Sequence, residues 1–551
     1  MSVLKNKTFW LMLFIVVLGT VLRLIFIDKP DGLWNDEYVS WSIAVIPFGK
    51  KFIDAVLAQC HMPFYYLYLK FFIHFYGNSD LMLRLTSVLP GILSIISMYF
   101  VGKEFKNTHL GILCAAITAL SSFLIYFSQE VRFYELLFLF SSWSMLYTLK
   151  LGKEQTAKNL ILYIVSNFLI IFTHTIGFVF VFFNLLFLGL WLGKDERHRQ
   201  TIIRVGTSIV ILSFVFISLF YKIFTTHPLS QWWSHFSIAK IGFLFTDYFS
   251  PMMTNIVSAP DNFFYNLTLT FVIFAILPSL IALVGIVSAL KTKKYEVVGL
   301  FYVSLAFVLV LVVMAISGKL VFITKYSMEI YPILIAIVAF GLLELKKGWR
   351  YFLIFLFCFL NLFYVLTSSK SAPRMHRWEG HKIVANLLKN ADLKEGDVIL
   401  LNYYPKDRFE KYFNFNKYKV VSINKGTFSE YLGLDQNKLL KTGDKKYLKP
   451  YISKENKTFD KKFGSDIIDK LGDKHAKGQK IAIVILNDVA MYSPIQMQVL
   501  FDNDKEYEKV PYPFLVFSYL KNKEIEICLQ ALQISRFEQK GSWAVVTFER
   551  N

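Results

Sequence analysis

The sequence is poor in the residues that hold a soluble or extracellular scaffold together. Four cysteines in 551 residues are too few for a disulfide framework. Cys114 and Cys358 lie inside apolar runs, whereas Cys60 and Cys528 lie in polar segments and pair only if a long-range contact joins them, so cysteine leaves the redox compartment open. Charge is scarce too, at 18% of residues against 55% hydrophobic, which excludes intrinsic disorder and a collagen-like chain. Acidic residues are the scarcer sign: 40 Asp and Glu face 60 Lys and Arg, for a net charge of +20. That balance invites a nucleic-acid reading, yet the chain is full of uninterrupted apolar runs of about 20 residues, the length of a helix that crosses a hydrocarbon core. No nucleic-acid partner is expected, and the basic excess is read first as membrane topology.

Apolar runs separated by short polar loops extend from Thr8 to about Leu366, and from Ser369 the chain turns polar. Lys and Arg outnumber Asp and Glu by 28 to 17 over residues 1–369 and by 32 to 23 over 370–551. Two domains are expected: a membrane body over 1–368, with an outer loop at 28–79, and a small α/β domain over 369–551. Eleven spans are expected, at 8–27, 80–101, 108–128, 133–150, 159–173, 175–193, 201–222, 263–290, 296–317, 326–345 and 351–368. Residues 62–77, short and carrying Lys70 and His74, are read as an amphipathic helix at the interface. Strict alternation then puts five Lys- and Arg-bearing connections and the N-terminus on the cytoplasmic side. The tail, with strand-like runs at 398–402, 481–486 and 543–549 and a helix-like stretch at 381–390, lies outside.

Ionisable groups at membrane depth cost roughly 2.5 to 3.5 kcal/mol each at a span centre, which makes them functional candidates. The first outer loop opens with Asp36 beside Glu37. Neighbouring carboxylates ionise less readily together, and desolvation at a membrane edge favours the protonated form further, so this pair suits base chemistry. The same residues equally suit the N-terminus of a helix that begins at Asn35 or Asp36. His61 opens the interfacial helix, as a shuttle, a ligand or a cap. Arg84 enters span two, Glu130 and Arg132 occupy a turn between spans with Tyr134 following, His174 sits in the next outer turn, and Lys325 opens span ten with Glu329 one turn deeper. All share one face of the membrane. Arg84, Arg132 and Lys325 can each bind a phosphate or merely snorkel, and Lys325 can pair with Glu329 at i and i+4.

In order, NDEYVSW at 35–41, HMPFYYLYLK at 61–70, LMLRLTSVLPGILSIISMYFVGKEF at 81–105, YFSQEVRFYELL at 126–137, THTIGF at 173–178 and KYSMEIYPILIAIVAFGL at 325–342 resemble the GT-C class of polyprenyl-phosphate-sugar-dependent glycosyltransferases. That class includes the dolichyl-phosphate-mannose protein mannosyltransferases and the lipid A aminoarabinose transferase. The likeness is good over residues 8–180 and fainter to 345. Met62 stands where the family often has Pro, and Lys325 where it has Arg, without the guanidinium fork.

The resemblance implies a polytopic GT-C fold that moves one sugar, with inversion, from an undecaprenyl or dolichyl monophosphate to an acceptor hydroxyl outside the cytoplasm, in a bacterial inner membrane. It carries Asp36 as the base and Glu37 as its partner. A base must take the acceptor proton as its oxygen attacks the anomeric carbon. The phosphate leaving group needs cations and no general acid, which suits Arg84, Arg132 and Lys325. His61, Glu130, Tyr134 and His174 are candidates for the sugar or acceptor, with Glu130 alternatively holding Arg132. No metal is expected to be required, since the spacing of His61 and the carboxylates matches no strong ligand motif. The rival reading is a transporter or flippase of a lipid-linked sugar, whose broken spans and inverted repeats are not evident. Acceptor selection is assigned by position to the loop at 223–262, with Trp232, Trp233 and His235, and to the tail, although the aromatics equally suit an interfacial belt.

Overall fold

The computed structural model describes residues 7–29, 32–59, 61–192, 196–214, single positions between 241 and 249, 276–317, 322–368, 381–390, 393–402, 409–423, 480–486 and 543–549. Cys60, Cys528 and the loop residues Trp232, Trp233 and His235 lie outside the described residues. The chain divides into two compact units, one of residues 1–27 and 39–367, the other of residues 28–38 and 368–551. The stretch 28–38, read from the sequence with the membrane body, therefore groups with the tail.

In the first unit the helices are α1 (Lys7–Leu24), α2 (Asn35–Val45, begun in the other unit), α3 (Lys50–Ala58), α4 (Phe64–Tyr76), α5 (Asp80–Phe105), α6 (Thr108–Leu120) and α7 (Ser122–Ser128). They continue as α8 (Tyr134–Lys153), α9 (Ala157–Thr173), α10 (Gly177–Leu192), α11 (Glu196–Phe214), α12 (Leu277–Lys291) and α13 (Tyr295–Ile316). A 3-10 segment, Thr324–Ile330, leads into α14 (Tyr331–Glu344), and α15 (Lys347–Ser368) follows. Four described helical stretches, Lys7–Leu24, Asp80–Phe105, Tyr295–Ile316 and Thr324–Glu344, are long and apolar enough to cross a membrane, and α6 with α7 makes a fifth if the bent pair is one span. Helices α9, α10 and α12 are apolar but shorter. Leu190, Leu309 and Phe355 point outward, each more than half exposed, as lipid-facing side chains do. The chain is an integral membrane protein.

Inside the body, contacts are close and polar, as expected where lipid supplies no hydrophobic contrast between helices. A Cβ on Gly102 would meet the Leu110 carbonyl at 2.7 Å, so α5 and α6 touch backbone to backbone. Asn184 Nδ2 donates to Ser144 Oγ at 2.7 Å and Ser144 Oγ to Asn167 Oδ1 at 2.9 Å, tying α8, α9 and α10.

Two expected spans depart from a plain helix. The run at 108–128 breaks between α6 and α7, which meet at 58°. Partners from other helices meet the broken backbone. Arg23 of α1 donates to the carbonyls of Thr118 (3.1 Å) and Ala119 (3.2 Å), the last turn of α6. Ser121 Oγ accepts from Leu124 N–H, and Asn361 Oδ1 of α15 accepts from Ser122 N–H at 3.2 Å. The tenth span opens in the 3-10 segment because Ser327 leaves helical geometry at φ −118° and ψ 25°. There Tyr248 Oη meets both the Ser327 carbonyl and its Oγ at 2.6 Å.

The second unit holds α16 (His381–Lys389) and four strands, β1 (Val398–Asn402), β2 (Lys419–Ile423), β3 (Lys480–Leu486) and β4 (Trp543–Glu549). Their order is β2-β1-β3-β4, with β1 parallel to both neighbours and β3 antiparallel to β4. Its core joins Val384, Ala385 and Leu388 of α16 to Ile399 and Leu401 of β1 and to Phe409, Phe413 and Phe415.

Candidate active site

In the first unit, the turn between α7 and α8 is fixed before its charged residues do anything. Gln129 Nε2 donates to the carbonyls of Arg23 (3.1 Å) and Ile25 (2.7 Å) at the end of α1. Arg132 N–H bonds the Glu130 carbonyl at 2.8 Å, and Ser87 Oγ of α5 donates to the Arg132 carbonyl at 3.1 Å. The buried Arg132 side chain then donates to Ser40 Oγ of α2 at 3.2 Å. Its guanidinium lies over the rings of Phe133 and Tyr134, 5.1 and 5.8 Å from the centroids.

Lys325 reaches the same place from the far end of the sequence. The kinked 3-10 segment sets its Nζ 5.6 Å from the Tyr134 centroid and 5.6 Å from that of Tyr326. Tyr134 thus carries two cations on one buried ring, within the range of cation–π attraction. Its hydroxyl is buried and has no hydrogen-bond partner among the described residues. Two cations gathered at one ring can both meet a single anion.

The histidines complete this centre. The His61 ring stands edge-on to Phe133 at 5.0 Å, with Nδ1 2.7 Å from Tyr66 Oη. His174 stacks on Phe133 at 4.8 Å and lies 6.0 Å from the His61 ring. Burial above all, then the positive Arg132, with the His174 ring and Lys325 also nearby, holds the His61 imidazole well below its ordinary pKa. Burial and then Arg132 push His174 down to about 3. Both rings are neutral at pH 7, able to donate from one nitrogen and accept at the other. His174 Nδ1 lies 3.9 Å from Glu329 Oε1, and neither carboxylate oxygen of Glu329 has a hydrogen-bond partner among the described residues. With His174 neutral, this approach is not an ion pair. The i and i+4 pairing of Lys325 with Glu329 does not form, because the 3-10 segment turns Lys325 to Tyr134 and leaves Glu329 beside His174.

Arg84 is fully buried one turn before Ser87, and donates to the Ile27 carbonyl at 3.1 Å. Glu130 is buried in the turn. Arg132, Tyr134, Lys325, His61 and His174 are therefore brought to one centre, and Arg84 holds the Ile27 carbonyl. Arg23, which the sequence did not single out, is buried within attraction of Glu135, the residue that with Tyr134 begins α8. The available signal was Arg23 itself, an arginine inside the first apolar run.

Asp36 and Glu37 belong to the second unit. Glu37 is buried, and its Oε2 accepts the Trp34 N–H at 3.1 Å, the reciprocal bond by which the third helical residue caps its own N-terminus. Asp36, next to it, is partly exposed. The cap reading thus applies to Glu37, and Asp36 is the more accessible carboxylate.

A helical membrane body with buried cations is continued in sequence by a small α/β unit. No family model and no curated protein matches the sequence. Among solved structures, the chain shares the fold of ArnT from Cupriavidus metallidurans in the apo state, at a TM-score of 0.50 and 11% identity over 97% of both chains. ArnT from the same organism bound to undecaprenyl phosphate matches at a TM-score of 0.49 and 12% identity over 98% of both chains. The Archaeoglobus fulgidus oligosaccharyltransferase in the apo form matches at 0.49 and 10% identity, over 90% of this chain and 72% of that one.

Proposed function

We propose that this protein is an inverting glycosyltransferase that moves one sugar from a polyprenyl monophosphate, undecaprenyl or dolichyl, to an acceptor hydroxyl on the outer face of the membrane. The observation that carries the reading is the convergence of Arg132 and Lys325 on the Tyr134 ring, with the unpartnered Tyr134 hydroxyl among them. Two cations and a hydroxyl at one buried point suit a phosphate, and charge-assisted bonds there grow stronger as the phosphate departs with its negative charge. Asp36 takes the proton from the acceptor hydroxyl as its oxygen forms the bond to the anomeric carbon, and the sugar–phosphate bond breaks. Neutral His61 and His174 supply hydrogen bonds to sugar or acceptor hydroxyls without adding charge, and Glu37 holds the helix start. The N-terminus is cytoplasmic and the tail outside. The fold shared with ArnT supports this reaction class and not a particular sugar or acceptor.

The test uses membrane vesicles that retain their native acceptors, from cells lacking this gene, with purified chain and undecaprenyl-phosphate monosaccharides labelled in the sugar. Label passing from the lipid into a new glycoside supports the transferase. Label crossing the bilayer with its lipid bond intact refutes it in favour of a transporter.

A further inference from the structure

The residues that lead into the helix of Asp36 are held by two side chains from the tail, all within the second unit. Leu33 lies outside any helix or strand and is fully buried, so both its main-chain polar groups need partners. Its N–H donates to Tyr412 Oη at 2.8 Å, across 379 positions of sequence. Its carbonyl lies 3.2 Å from His381 Nδ1, which donates in the tautomer protonated there, across 348 positions. The approach is close enough to fix the neighbouring residue. Gly32 has φ +84°, and a Cβ on it would come within 2.8 Å of Tyr412 Oη and of Lys382 Cβ.

The two holding residues are themselves rigidly set. Tyr412 packs on the apolar core of α16 and β1, and the His381 ring stands edge-on to Phe409 at 5.3 Å and 6.1 Å from the Tyr38 ring. Immediately after Leu33, Trp34 gives its N–H to Glu37 and α2 begins. The first turn of a helix is where backbone frays most readily, and here it starts from a residue pinned at both its donor and its acceptor.

We propose that His381 and Tyr412 are positioning residues for the transfer described above, on which this inference rests. They fix where and in which direction α2 starts, and so where the Asp36 carboxylate is presented. Neither touches substrate. The tail thereby has a catalytic task, to hold a loop of the outer face in register.

Tyr412→Phe removes one acceptor oxygen and keeps the ring, so it carries the test even where His381→Ala does not fold; His381→Asn restores an N–H near the Nδ1 position. Hydrogen exchange of the Leu33 amide reports the clamp directly, and the vesicle assay with labelled undecaprenyl-phosphate monosaccharides reports its use. Expected are faster exchange at Leu33, kcat lower by about tenfold and donor KM unchanged in Tyr412→Phe and His381→Ala, since misplacing a reacting group by about 1 Å costs up to 10²-fold. His381→Asn recovers kcat. Unchanged exchange in Tyr412→Phe overturns the proposal, as does faster exchange with unchanged kcat, or a rise in KM that accounts for the whole loss. A wild-type chain that consumes none of the donors overturns the transferase reading and the positioning role with it, whereas an active wild type with indifferent variants overturns the positioning role alone.

Discussion

Replacing Lys325 with Met removes one charge and little volume from the centre around Tyr134. Lys325 Nζ and the Arg132 guanidinium stand 5.6 and 5.8 Å from that ring centroid. A phosphate about 4 Å from either charge gains about 4 kcal/mol of attraction at an effective dielectric of about 20. Desolvation of both partners takes back a large part, leaving about 1.5–3 kcal/mol for a hydrogen bond to a charged group. Loss of Lys325 should therefore weaken binding of the lipid phosphate roughly 10- to 150-fold. The assay compares the purified chain's affinity for undecaprenyl phosphate with that for uncharged undecaprenol, so that the ratio isolates the phosphate. Lys325→Met should reduce the ratio and Lys325→Arg should keep it. Because both cations face one ring, Lys325→Met and Arg132→Met should not be additive. Lys325→Met with an unchanged ratio, or with equal weakening for both lipids, refutes the assignment.

Asp36→Asn should lower transfer by about 10² to 10⁴ while lipid-phosphate binding persists, measured as label transfer and as affinity; near-wild-type transfer sinks the base. Glu37→Gln, which keeps an acceptor for the Trp34 N–H, should retain most activity, and a loss equal to that of Asp36→Asn would make Glu37 a chemical partner. His174 is held at about 3, so the folded state resists a proton that the unfolded chain takes up near 6.5. Stability from this group is full above about pH 6.5 and falls as pH drops, by ~2 kcal/mol at pH 5, so the unfolding midpoint should fall from pH 7.5 to 5 and His174→Gln should flatten the profile. Transfer is expected to survive excess chelator, and activity abolished by chelator and restored by a single added cation would overturn the metal-free reading.

The sequence displays its charges but not their partners, and this separates the parts of the site it reveals from those it hides. Periodicity and charge placed Arg132 and Lys325 at one face of the membrane, because each is an ionic residue at the end of an apolar run. They meet at Tyr134 across the 3-10 kink at Ser327, where a tyrosine far away in sequence, Tyr248, hydrogen-bonds the irregular backbone. The same holds for the break at Ser121. A hydropathy count sees one span from 108 to 128, since the run stays apolar, but the backbone turns there because Arg23 and Asn361 on other helices meet its exposed groups. The adjacent Asp36 and Glu37 show the limit most plainly. Both are carboxylates in sequence, and the structure distinguishes them by the Trp34 N–H that Glu37 accepts and by the partial exposure of Asp36. What distinguishes a structural charge from a functional one in this body is what it faces. Arg23 gives hydrogen bonds to main-chain carbonyls in the last turn of α6, whereas Arg132 and Lys325 share an aromatic wall that attracts a cation. Removing Arg23 should cost folding, and removing Arg132 or Lys325 should cost the lipid phosphate.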